Sequence, residues 1–83
     1  MPTRNVLLLT VGQNIRAARV AQGLSQEDLA LKAHLDRTYV GGVERGERNL
    51  GMINLCRIAS ALGVLPADLL QNVVYAPERG DDS

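Results

Sequence analysis

The chain has 83 residues with nine basic and nine acidic side chains, and it contains no Phe or Trp. That is enough for one domain, which at this size buries only about 60% of the surface its unfolded chain exposes and has little core to spare for a deep catalytic cavity. A single cysteine, Cys56, excludes an internal disulfide, and a single histidine, His34, leaves no zinc-ligand spacing, so a reduced, cytoplasmic protein without metal or cofactor is expected.

The apolar residues are mainly Leu, Val, Ala and Ile, which suits thin layers of packed helices and predicts an all-α fold. Residues 1–9 read as an N-terminal extension. Its apolar run, Val6-Leu7-Leu8-Leu9, falls far short of the roughly 20 residues of a membrane span and lacks a signal-peptide cleavage pattern, so no membrane association is expected.

Residues 10–71 divide into five short helical segments. In the first, Val11, Ile15, Ala18 and Gln22 recur at helical spacing, and Gly23 marks the stop. Ser25 with Asp28 forms a capping-box pattern that opens a second helix carrying Leu29, Ala30 and Ala33. His34-Leu35 forms the turn, and Asp36 caps a third helix from Arg37 to about Arg45, with Val40 and Val43 inward and Gly46 at its end. A fourth helix from about Met52 to Leu62 places Leu55, Ile58, Ala59 and Leu62 on one face and stops at Gly63. Pro66 starts a short fifth helix at the position that proline prefers.

Residues 72–83 read as a partly disordered tail whose last eight residues hold three acids and one arginine. Without those eight, basic side chains outnumber acidic ones by two. Eight of the nine basic residues are Arg, the side chain whose planar fork matches phosphate and guanine.

The spacing of Gly23, Ser25, Leu29, Ala30, Ala33, Leu35, Val40 and Val43 describes two short helices joined by a tight turn, the rhythm of a helix-turn-helix. In such a pair the first turn of the second helix enters the major groove, which places Arg37, Thr38 and Tyr39 where base edges would be. Arg45 and Arg48 lie beyond that turn, suited to backbone or a flanking base. Gly41 and Gly42 each cost roughly 1 kcal/mol relative to Ala inside a helix. Either the bare backbone approaches the groove at these positions, Gly42 above all, or it packs against another helix.

From Val11 to Leu70 the chain resembles the Cro and lambda-repressor-like helix-turn-helix family. The resemblance is carried by Ile15-Arg16 through Arg19, Gly23-Leu24-Ser25-Gln26-Glu27-Asp28-Leu29-Ala30, Val43-Glu44-Arg45-Gly46 and Ile58-Ala59-Ser60-Ala61-Leu62-Gly63-Val64. Leu35-Asp36-Arg37-Thr38-Tyr39-Val40 together with Glu44-Arg45-Gly46-Glu47-Arg48-Asn49 looks most like restriction–modification controller proteins, small dimers that time expression of a nuclease. The resemblance implies a five-helix lambda-repressor-like domain. It also implies that Arg37, Thr38, Tyr39 and Arg48 lie at the DNA surface, that Gln26 lies near a phosphate, and that Arg19 and Glu44 form a structural pair; Asn49, beside Arg48, is expected to bind DNA with them.

Met52, Ile53 and Cys56 lie beside the core stripe of the fourth helix, and Leu65, Leu69 and Leu70 add to the excess. Cys56 is expected to be a small buried hydrophobe. A homodimer joined through Met52, Ile53, Cys56, Leu65 and Leu69 would hide this surface and set two recognition helices about 34 Å apart, one DNA turn. Val73, Val74 and Tyr75 either extend that contact or cover the domain's own core.

The expectation is a sequence-specific regulator of transcription, controlling a restriction–modification operon and binding a palindromic duplex operator, with no small-molecule ligand. Two other readings compete with it: an antitoxin whose main partner is a toxin protein, and an interaction module that has lost DNA binding. No nucleophile with its base, carboxylate dyad or phosphate-cradling loop is visible, so no enzymatic activity is expected.

Overall fold

The computed structural model describes residues 5–75, and over that range the chain is five helices without a strand. The acidic segment 76–83, expected to be disordered, lies outside the described residues.

The first helix starts earlier than the sequence pattern suggested. Asn5 is a residue of N-cap type, and its Oδ1 accepts the Leu7 N–H at 2.8 Å, opening α1 (Val6–Ala21). Residues 6–9 are therefore not a peripheral extension. Leu7 packs on the core, and Leu9 sits against Gly46.

α2 (Gln26–Ala33) begins with a reciprocal capping box: the Asp28 N–H donates to Ser25 Oγ at 2.9 Å, and the Ser25 N–H donates to Asp28 Oδ2 at 3.0 Å. His34 closes this helix in the left-handed region at φ 58°, and the Leu35 N–H returns to the Ala30 carbonyl at 2.9 Å. Asp36 Oδ2 then accepts the N–H groups of Thr38 and Tyr39 at 2.9 and 3.3 Å and starts α3 (Arg37–Glu44). Two caps within three residues make the α2–α3 turn tight.

α4 (Met52–Leu62) and α5 (Pro66–Leu69) complete the domain. The Asp68 carboxylate accepts the Leu65 N–H at 3.0 Å at the start of α5. Asn14 on α1 donates to the carbonyls of Leu69 and Gln71 at 3.0 and 2.8 Å, which ties the far end of the chain to the first helix.

One core gathers all five helices, with Ile15, Leu29, Val40, Val43, Ile58 and Leu69 fully buried. Leu69, expected at a dimer contact, is only 1% exposed and fills its own chain's core, so it is withdrawn from that face. Cys56, expected inside, is exposed. It follows Leu55 by one residue, which rotates it about 100° off the buried stripe. The helix that braces α3 is α1, and they meet at Gly12. A β-carbon there would lie 2.5 Å from the carbonyl oxygens of both Val43 and Glu44, so only glycine admits this approach.

Candidate nucleic-acid interface

The base of the site is an ion pair. Arg19 Nε and Nη2 donate to the two carboxylate oxygens of Glu44 at 2.7 and 3.0 Å, and Nη1 donates to the Leu24 carbonyl at 2.8 Å. The guanidinium thus grips the end of α3 and the loop before α2 from one position on α1. Glu44's side chain is 2% exposed. Hydrogen bonding to Glu44 raises the Arg19 pKa, burial opposes it, and the carboxylate's charge adds to the rise, so the cation persists at every ordinary pH.

Gln26 belongs to the same network. Its Nε2 donates to Glu44 Oε1 at 3.0 Å, so the first residue of α2 is locked to the last residue of α3. The helix-turn-helix angle is therefore held at both ends, by the capped turn at one and by Gln26–Glu44–Arg19 at the other. Gln26 also lines a recess at the start of α2 together with Arg19, Ser25, Glu27 and Arg37. This brings Gln26 and Arg37, 11 positions apart in sequence, onto one surface beside the N-terminus of α2, a favourable place for an anion.

Arg37 and Thr38 are exposed on the first turn of α3. Tyr39 turns away from them. It is half-buried against the core, and its hydroxyl oxygen accepts a hydrogen bond from Asn54 Nδ2 on α4 at 3.1 Å. Its own O–H remains a donor. The sequence gives no sign of Asn54, because nothing in the pattern of α4 distinguishes a partly covered Asn from a solvated one.

Gly41 and Gly42 lie one helical turn after Arg37 and Thr38 and yet are buried. A β-carbon at Gly41 would meet Arg45 Nη1 at 3.1 Å and Gln26 Oε1 at 3.4 Å, and one at Gly42 would meet Arg48 Cγ at 2.8 Å. Gly42 thus lies under a side chain from the loop beyond α3, whereas Gly41 faces Gln26 of α2 as well as Arg45; close backbone-to-backbone packing of two helices is found at Gly12. Arg45, Arg48 and Asn49 are exposed, and Arg45 pairs with Glu47 at 3.2 Å.

On α4 and in the loop before α5, Met52 is 74% exposed, Ile53 72% and Leu65 68%. Met52, Ile53 and Cys56 line a groove of about 580 Å³ with Lys32, Ala33, His34, Arg57 and Ser60. Val73 packs against the core, whereas Val74 and Tyr75 are exposed, which divides the three residues whose role the sequence left open. Among the described residues no His, Cys, Asp or Glu cluster could hold a metal, and no helix is long and apolar enough to cross a membrane.

Two capped helices fixed at a tight turn, braced by a third and bearing exposed Arg and Thr on the second, define a helix-turn-helix unit. The helix-turn-helix family HTH_3 matches residues 15–69, and the chain belongs to that family. Within it, several of the similar proteins are restriction–modification controllers, and others are transcriptional regulators or a phage repressor. The control protein C.BamHI of Bacillus amyloliquefaciens is 46% identical over 69 residues, covering 82% of this chain and 84% of that one. The crystal structure of the controller protein C.AhdI from Aeromonas hydrophila is 52% identical, covers 75% of this chain and 94% of that one, and superposes with a TM-score of 0.74. The controller C.Esp1396I, solved as a tetramer in complex with its natural 35 base-pair operator, is 40% identical over 82% of this chain and 90% of that one, with a TM-score of 0.74.

Proposed function

We propose that this protein is a cytoplasmic, non-enzymatic transcription regulator that binds a palindromic duplex operator as a homodimer and controls a restriction–modification operon. The observation that carries this reading is the exposed first turn of α3, Arg37-Thr38, held rigidly by the Gln26–Glu44–Arg19 network. The similarity to controllers, one of them solved on its operator, supports the narrower assignment.

In this reading α3 enters the major groove, and Arg37 reads a guanine through O6 and N7, worth about 1–3 kcal/mol of discrimination. Thr38 contacts an adjacent base or its methyl group. The α2 N-terminus with Gln26, and the Tyr39 O–H, meet phosphates on either side. Arg45, Arg48 and Asn49 extend the contact past the end of α3. Met52, Ile53, Cys56 and Leu65 form the two-fold contact, and doubling the phosphate contacts offsets the absence of net charge. The antitoxin reading is set aside, because the similar proteins are controllers and transcriptional regulators.

The reading is tested by titrating labelled duplex DNA with the protein across a series of salt concentrations. The logarithm of affinity should fall linearly with the logarithm of salt, by about 0.9 per phosphate contacted. Arg48→Ala should make that slope shallower or lower affinity at every salt. Affinity that is absent, or insensitive to salt, overturns the reading.

A further inference from the structure

We propose that Gly42 is a positioning residue for Arg48: its missing side chain is the slot in which the Arg48 stem lies, aiming that guanidinium at the stretch of groove read by Thr38. The inference rests on the DNA-binding reading and assigns to Gly42 a role different from close approach of the helix backbone to DNA.

Three observations converge on it. Gly42 stands one turn after Thr38 on the outer face of α3, and although Thr38 is exposed, Gly42 is buried. What covers it is Arg48, whose Cγ, Nε and Cδ lie 2.8, 3.5 and 3.7 Å from the place a β-carbon would occupy. The root of Arg48 is also fixed. The Glu47 N–H donates to the Gly42 carbonyl at 2.9 Å, and Gly46 turns the chain at φ 76° where Leu9 leaves no room for a side chain.

Arg48 therefore does not project from the helix, as Arg37 does. It starts in the loop beyond α3 and runs back across the bare backbone, with the rest of the residue exposed. Laying the aliphatic stem on the helix removes rotamer freedom before any DNA arrives, so less is lost when the guanidinium forms its contact. Gly41 repeats the arrangement on a smaller scale beneath Arg45 Nη1 and Gln26 Oε1.

Alanine at position 42 would lift the Arg48 stem and move its tip by more than the displacement at Cγ. It would not disturb the fold, because the obstructing atoms belong to a flexible side chain and alanine is the better helix former. Gly42→Ala, Arg48→Ala and the double variant are compared with wild type on the duplex that the wild-type protein selects from a random pool, with thermal unfolding of each followed in parallel.

Expected are an unchanged or slightly higher melting temperature for Gly42→Ala, a loss of affinity of about tenfold, and relaxed base preference at the position that Arg48→Ala also relaxes. The double variant should bind no more weakly than Arg48→Ala alone. If Gly42→Ala weakens binding by the same factor in the Arg48→Ala background, the backbone itself meets DNA and the inference fails. Lower stability with unchanged affinity, or no effect on either, also overturns it. If wild type selects no duplex, the DNA-binding reading falls first and this inference with it, a result distinct from an additive cycle.

Discussion

Arg19→Ala should be the most damaging single substitution outside the apolar core. It deletes the two donors at 2.7 and 3.0 Å that neutralise Glu44 and the one at 2.8 Å that satisfies the Leu24 carbonyl. Glu44, with a side chain 2% exposed, would keep only the Gln26 amide. Breaking a buried pair from one side costs about 3–5 kcal/mol, because the remaining charge stays buried without compensation. A chain of this length has roughly 4–12 kcal/mol of stability in total, so a large part of it is lost. With a shift of about 4–8 °C per kcal/mol at this size, the melting temperature should fall by roughly 12–40 °C.

The assay is circular dichroism at a fixed protein concentration, since dimerisation would couple stability to concentration. The control is Arg19→Met combined with Glu44→Leu. Replacing both charges by apolar groups of similar volume should return most of the lost stability. A cost below about 1 kcal/mol for Arg19→Ala, or a double variant as unstable as the single one, refutes the assignment of this pair as the brace of the helix-turn-helix.

Gly12→Ala should destabilise by about 1–3 kcal/mol or more, measured by urea unfolding, because the new methyl would have to push apart the α1 and α3 backbones. The Ser25 N–H, then the Ser25 hydroxyl, and less strongly the charge of Lys32, hold the Asp28 carboxyl below its ordinary value of 3.8. The capping box therefore contributes stability in full above that value and loses it as pH falls through the lowered folded pKa. Asp28→Asn should flatten this acid limb of the stability profile. Ile53→Asp places a charge on the exposed apolar face of α4 and should convert a dimer to a monomer in sedimentation equilibrium while leaving the melting of the isolated fold nearly unchanged; a wild-type monomer would refute the proposed contact.

Most of the fold is legible in the sequence because its punctuation is local. Gly23, Ser25 with Asp28, Asp36, Gly46, Gly63 and Pro66 act on their immediate neighbours, and the starts of α2, α3 and α5 and the ends of α3 and α4 follow from them. Asn5 is a signal of the same kind, and its cap moves the start of α1 from about residue 10 to Val6. What could not be read depends on distant partners. Gly12 looks like a weak point in a helix until α3 lies against it, and Leu69 and Cys56 exchange places once the rotation of α4 and α5 about the core is known. At the site, Arg37 and Thr38 follow from their position in the first turn. That Tyr39 leans on Asn54, and that Arg48 returns across Gly42, depends on the path of the loop after Gly46, for which no periodicity exists.

The central claim is that α3 reads base edges from a two-fold symmetric protein. Its most direct measurement is selection and sequencing of random duplexes by the purified protein at moderate salt, beside Arg37→Ala. The account predicts an enriched motif with two-fold symmetry, half-sites about one helical turn apart, and loss of preference at one position per half-site in the variant. A well-folded wild-type protein that enriches no motif, or a motif unchanged by Arg37→Ala, would contradict it.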